Sequence, residues 1–384
     1  MKRQDGEGTW GTKIVKGYKY HFYRDSDGHY TYGKTVKAVK EKYAKYQDTK
    51  FTINTKTTFG EYMQYWLTTK QKTLEPTTYD CYETMISSQI INFKDYDIAN
   101  QQLHNLSTAK FQKYLDSLAA QYSRSTIVKI WAIIKQCIKY AEIEDVVPPH
   151  CTDLVKVPLE SQVAVKKKEI PFLSLEEADK LYNTLTLTHD NGLPYFGENA
   201  YALMLLMYSG ARISEILALK WKNVDMKNHT ITIEESMAQR KNRNNDGKNK
   251  YITYDKTPKN EHSIRKVPLP KRGMEIIRYF HAKNPDHKPT DYVCINSKKH
   301  PMARRNVNHT LKRMIKMAEL PDCSAHTLRH TYGSILLQNG VEIKKVSELL
   351  GHNNISTTYD IYIGILEKDK SSEVTRVFDI DTKS

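Results

Sequence analysis

The sequence predicts a multidomain, mainly α-helical protein: a small N-terminal domain of β-sheet plus helix, a helical domain, and a mixed α+β domain with a small antiparallel sheet. Three observations lead there. Short strand-like segments split by turn residues occupy the start of the chain, and amphipathic helical periodicity runs from Phe59 to Ile143. Beyond a proline-punctuated stretch the helical pattern resumes and encloses two short strand-like segments, Thr230 to Glu234 and Arg265 to Leu269. The resulting division is 1–55, 56–150, a linker over 151–169, and 170–384.

Thr9 to Ile14, Tyr18 to Tyr23 and His29 to Tyr32 read as three strands, separated by Lys16-Gly17 and by the turn Asp25-Ser26-Asp27-Gly28. A helix from Thr35 to about Gln47 would turn Val36, Val39 and Tyr43 inward. Residues 1–50 carry twelve Lys or Arg against six Asp or Glu, so this module suits a polyanion, with Lys13, Lys16, Lys19 and Arg24 as candidate contacts. Phe59, Tyr62, Met63, Trp66 and Leu67 then mark an amphipathic helix, and further helices are expected around Thr77 to Ile90, Ser107 to Ala120 and Ser125 to Ile143. Pro148, Pro149 and Pro158 punctuate the linker, which ends in the basic run Lys166-Lys167-Lys168.

In the last part, Ser174 with Glu177 makes a capping box for a helix from Leu175 to Leu185. The apolar helix Ala200 to Tyr208 stops at Ser209-Gly210, and a new helix begins about Arg212. That spacing puts Arg212 and Glu215 one turn apart, so the carboxylate can orient the guanidinium. Between the two strand-like segments lies a long polar loop holding Arg240, Lys241, Arg243, Lys248, Lys250, Lys256 and Lys259.

Composition narrows the class. Lys and Arg total 59 against 44 Asp and Glu, a net charge of +15, which favours nucleic acid as partner. A membrane role is disfavoured, because the longest apolar run, Tyr201 to Tyr208, is far too short to span a bilayer and no apolar signal segment follows Met1. The five cysteines are scattered and without C-x-x-C spacing, which points to a reducing cytoplasm and away from a zinc site. No acidic cluster offers a divalent-metal site, and no cofactor is expected.

The stretch from Ala325 to Ile365 gathers the chemistry. His326 and Arg329 share one helix face; a second helix, Ile343 to Leu350, buries Ile343, Val346 and Leu350 and stops at Gly351, setting His352 just past a helix end. Ser356 or Thr357 is positioned to cap a third helix bearing Tyr359 and Tyr362. An arginine, two imidazoles and a tyrosine hydroxyl suit a phosphodiester: the guanidinium matches phosphate oxygens, the histidines move protons, and the phenol is a covalent nucleophile. Tyr359 and Tyr362 are i,i+3, so periodicity does not choose between them.

These strings resemble the signature of the tyrosine recombinase, or phage-integrase, family. ARISEILALKW matches the family's first arginine at Arg212, TPKNEHSIRKVPL its lysine at Lys259, HTLR its His326 and Arg329, LLGH its His352, and DIYI its tyrosine at Tyr362, ten positions after His352. Counting back along the hairpin leaves Lys256 as a rival to Lys259. The resemblance implies a site-specific integrase that cuts and rejoins DNA through a 3′-phosphotyrosyl link without metal or ATP. It implies that Tyr362 attacks, Arg212 and Arg329 neutralise the phosphate, Lys259 protonates the leaving 5′-oxygen, His326 acts as acid or base and His352 hydrogen-bonds the phosphate. Glu215 supports Arg212. It further implies an N-terminal domain for arm-type DNA sites, a helical domain for core-type sites, a homotetramer on double-stranded DNA, DNA-bending and directionality factors, and a tail beyond Glu367 that packs in trans through Val377 and Phe378. A relaxing type IB topoisomerase and a DNA-binding protein without catalysis are the alternatives.

Overall fold

The computed structural model describes residues 9–15, 18–24, 30–49, 53–166, 171–243, 250–257 and 263–362. Lys16, Lys167, Lys168, Lys259 and the tail from Glu367 lie outside these residues. The chain divides into two compact units at residues 167 and 168. Among the described residues no helix is long and apolar enough to cross a membrane.

In the first unit β1 (Thr9–Val15), β2 (Tyr18–Arg24) and β3 (Tyr30–Gly33) form an antiparallel sheet in that order. The helix α1 (Val36–Thr49) covers the face that carries Tyr23 and Gly33, with Val39 fully buried and Tyr43 edge-on to Tyr23 at 4.5 Å. Val36, expected inward, is 42% exposed. It opens the helix, one turn short of the sheet contact that Val39 makes. Because side chains alternate along a strand, the other face presents Lys13, Tyr20, Phe22, Arg24, Tyr30 and Tyr32. Phe22 lies across Gly11, where a β-carbon would meet the ring at 2.4 Å, and Arg24 sits 5.3 Å over Tyr30.

The helical block follows. Thr58 and Glu61 cap α2 (Phe59–Thr69) reciprocally, and its buried Phe59, Tyr62, Met63, Trp66 and Leu67 are the five that periodicity marks. Pro76 opens α3 (Pro76–Met85), which widens into a π-helical turn over Ile86–Ile91; α4 (Thr108–Ala119) and α5 (Arg124–Ile143) complete the core. The segment expected as a linker, described as far as Lys166, is largely exposed and touches the helical core at a few points. Cys151 and Val163 are buried in the same core, Gln112 brackets Lys156 through both backbone groups, and the Ala164 N–H donates to Ala119.

In the second unit the Ser174–Glu177 box caps α6 (Leu175–Asn183). The central α7 (Glu198–Ser209) is apolar all round and buried, ends at Gly210 with φ 62°, and is followed by α8 (Ile213–Ala218). A small antiparallel sheet joins β4 (Val224–Asp225) and β5 (Thr230–Ile233) to a later strand, reached through a separate hairpin of β6 (Ser236–Lys241) and β7 (Tyr251–Lys256). The segment expected as a polar loop is therefore partly sheet, with Lys256 on β7; its ladder hydrogen bonds need no apolar alternation. The strand β8 (Arg265–Pro268) closes the first sheet, and α9 (Lys271–Lys283), α10 (Arg304–Met317), α11 (Ala325–Gln338) and α12 (Ile343–Leu350) follow. Of these, α9, α10 and α11 all pack on α7. Residues 355–362 are helical. Asn354, rather than Ser356 or Thr357, caps them: its Oδ1 accepts from the Ser356 N–H at 3.0 Å, because the helix already starts at residue 355 and takes both hydroxyls into its first turn.

Candidate active site

The left-handed turn at Gly210 is the starting point. A β-carbon there would lie 2.3 Å from the Tyr332 ring, so only glycine permits both the turn and the close packing of α7 on α11. Two residues later Arg212 stands at the N-cap of α8. Its backbone N–H donates to Glu215 Oε2 at 2.8 Å and its Nη1 to Glu215 Oε1 at 2.7 Å. Nη2 reaches the Gly351 carbonyl at 3.4 Å, and 40% of the side chain is exposed.

Arg329 on α11 is 1% exposed. It donates through Nη1 to the Gly210 carbonyl at 2.9 Å and through Nη2 to the Leu350 carbonyl at 2.6 Å. Two of its five N–H donors are thus used, and the cation is fixed on both sides by backbone. Burial, and then the neighbouring Arg212, pull its pKa below the usual arginine range, yet it stays a cation at neutral pH. The two arginines converge on the turn Leu350–Gly351 that ends α12, where Gly351 has φ 67°.

His352 follows that turn directly. Its Nδ1 pairs with the buried Thr358 hydroxyl at 2.8 Å, so Nε2 is the nitrogen placed to meet an oxygen ligand. Burial, then Arg329 and Arg212, push its pKa down to about 3, so the ring is neutral at pH 7. His326 lines an open cleft of about 780 Å³ with Arg212, Arg304, Asn308 and Lys312. Partial burial of the ring and the cations Arg329, Arg212 and Arg304 pull its pKa down as well.

Tyr362 and Tyr359 part company here. Tyr359 is 41% exposed, whereas Tyr362 is buried beside Val346, Leu350 and Leu337. Its hydroxyl rests on Gly333, 2.2 Å from where a β-carbon would stand, and lies 3.4 Å from His330 Nδ1. Burial pushes the phenol up to about 12, partly offset by Arg329; burial, then His326 and Arg329, push His330 down to about 4.

Arg212, Glu215, Arg329, His352 and Tyr362 are thus gathered around the ends of α7 and α12, with His326 at the cleft beside them. Arg240 and Lys241 lie on β6 and Arg243 just after it, while Lys166 donates to the carbonyls of Glu160 and Ser161. Three participants escaped the reading of the sequence. Arg265 is buried and ion-paired to Glu215 at 2.7 Å; the period-2 pattern that buries Val267 on β8 also turns Arg265 inward, which was the available signal. His330 stands one helical turn beyond His326, and their rings meet edge-on at 4.4 Å. Thr358 gives no such signal.

Residues 171–368 match the phage integrase family, and residues 58–119 match the N-terminal SAM-like domain of phage integrases. The chain belongs to the phage integrase family, and is a tyrosine-type site-specific recombinase of the kind mobile elements carry, an enzyme of DNA cleavage and religation. It is 27% identical over 368 residues to a tyrosine recombinase XerC-like protein of Caldanaerobacter subterraneus, covering 91% of each chain. Its fold matches the Tn1549 transposon integrase in complex with transposon right end DNA at a TM-score of 0.65 and 17% identity, over 79% of this chain and 94% of that one. A lambda integrase tetramer bound to a Holliday junction matches at a TM-score of 0.54 and 14% identity, over 93% and 96%.

Proposed function

We propose that this chain integrates and excises its element by a phosphotyrosyl mechanism in which Tyr362 is the nucleophile and Arg212, Arg329 and His352 form the phosphate site. The observation that carries this reading is the convergence of two guanidiniums, one buried and one exposed, on the turn bearing a neutral imidazole. That set supplies positive charge and a neutral hydrogen-bonding nitrogen where a phosphorane would build negative charge. Tyr362 Oη attacks phosphorus and gives its proton to His326, the bond to the 5′-oxygen breaks, and Lys259 gives that oxygen its proton; the 5′-hydroxyl of a partner strand reverses the step. No net phosphodiester bond is lost, so no ATP is required.

His330 is not the base in this packing. Burial and nearby cations hold its imidazole down at about 4 and burial holds the phenol up at about 12, and both shifts oppose proton transfer between them. Tyr362 therefore leaves its seat over Gly333 to react, and meets the phosphate beside Arg212 and His326.

Double-stranded DNA is the partner in this reading. The open face of the N-terminal sheet, with Lys13 and Arg24 among tyrosines, would lie on arm-type sites; the helical block would take core-type sites; Arg240, Lys241 and Arg243 would contact phosphates. The acting form is a homotetramer in the bacterial cytoplasm, as the tetrameric lambda integrase suggests. The test is trapping on a nicked duplex made from the joined ends of the element, with wild type, Tyr362→Phe and Tyr359→Phe. A covalent adduct lost only in Tyr362→Phe supports the reading. Loss in Tyr359→Phe alone, or no adduct from wild type that binds this DNA, overturns it.

A further inference from the structure

We infer that Arg265 is a positioning residue for the cleavage reaction, setting both Arg212 and the His352 turn from one buried guanidinium. The inference rests on the reading of Arg212 as a phosphate ligand. Arg265 is 6% exposed in its side chain, and three of its nitrogens are committed to three different segments. Nη2 donates to Glu215 Oε2 at 2.7 Å, Nε to the Leu349 carbonyl at 2.7 Å, and Nη1 to the Ser263 carbonyl at 3.2 Å.

Each contact constrains something the site needs. Glu215 has two carboxylate oxygens: Oε1 holds the Arg212 guanidinium, and Oε2 takes both Arg265 and the Arg212 backbone N–H. Without Arg265 the buried carboxylate keeps only Arg212 as cation partner and can swing with it. Burial alone would raise the pKa of Glu215, and the hydrogen bond and charge of Arg265, followed by Arg212, keep it low and ionised. The second contact is on α12. Leu349 and Gly351 flank the Leu350 carbonyl that Arg329 uses, and the Gly351 backbone lies against the Arg265 guanidinium, where a β-carbon would stand 2.8 Å from Nη1. One planar cation thus ties β8 to the start of α8 and to the end of α12, and a lysine, a point charge, satisfies only one of these at a time.

The test is a double-mutant cycle. Arg265→Lys is placed in the natural background and in Arg212→Lys, and single-turnover cleavage of the nicked duplex is measured beside DNA affinity and urea melts. With Arg212 present, cleavage is expected to fall about 100-fold, the scale of a misplacement near 1 Å, with affinity within about threefold. In Arg212→Lys the further loss is expected to shrink to about tenfold, because one of the two positioned groups is gone while the His352 turn still loses its tie to Arg265. Equal losses in both backgrounds, or a fall in affinity matching the fall in rate, overturn the proposal. If Arg212→Lys by itself leaves cleavage intact, the reading of Arg212 fails and this proposal with it. Should Arg265→Lys not fold, Arg265→Gln replaces it in the same cycle, and failure of both to fold assigns Arg265 to stability alone and overturns the inference.

Discussion

Gly333→Ala tests the seat of Tyr362 by a change of sign. Gly333 is in the middle of α11, where alanine is ordinarily better than glycine by about 1 kcal/mol. Here the new β-carbon would stand 2.2 Å from Tyr362 Oη and 2.6 Å from Cζ, so the ring has to retreat by more than about 1 Å to reach ordinary contact. Overpacking of this kind costs about 1–3 kcal/mol, which leaves a net loss of up to about 2 kcal/mol after the helix gain. In a Tyr362→Ala background the obstruction is gone, and Gly333→Ala should stabilise by about 0.5–1 kcal/mol. The contact with Leu350 Cδ1, at 3.2 Å, is common to both backgrounds and cancels. Urea melts of the four proteins measure the coupling. Equal effects of Gly333→Ala in the two backgrounds, within about 0.5 kcal/mol, would refute the seat.

Three further outcomes are expected. Acid should destabilise the protein between about pH 6.5 and pH 4: His352 and His330 fall to about 3 and about 4 in the fold against 6.5 unfolded, so the unfolded chain binds protons first. At pH 5 each contributes a loss of up to about 2 kcal/mol, and a stability curve flat from pH 7 to pH 5 contradicts these assignments. Arg212→Ala should slow cleavage by roughly 10²–10³ while leaving DNA binding within a few fold, as measured by single-turnover trapping and titration. Lys13→Ala and Arg24→Ala should each lower the salt slope of binding to arm-type DNA by about 1; unchanged slopes would remove the open sheet face from the interface.

Legibility in the sequence followed the physical signal. Helices such as α2 and α5 were readable because burial on one face leaves a 3.6-residue period, and Gly210 and Gly351 were readable as helix stops because both adopt positive φ. The β6–β7 hairpin was not, since Ser236–Lys241 is largely polar and its pairing with Tyr251–Lys256 is a backbone matter. The same limit applies at the site. Motif spacing placed Arg212, Arg329 and His352, but Arg329 is fixed by the carbonyls of Gly210 and Leu350, Arg212 also reaches that of Gly351, and a carbonyl oxygen has no signature in a sequence. Helical periodicity left Tyr359 and Tyr362 equivalent, and only the motif resemblance chose Tyr362. Burial separates them, through contacts with Gly333, Leu350 and His330 from elements that only the fold brings together.

Whether Tyr362 becomes bonded to DNA is read from the adduct itself. Wild-type protein trapped on the nicked duplex is digested with nuclease and protease, and the peptide that retains a nucleotide is sequenced by mass spectrometry. A 3′-linked nucleotide on Tyr362, in the segment that follows His352, is the expected result. A nucleotide on Tyr359, or on any other side chain, would contradict it.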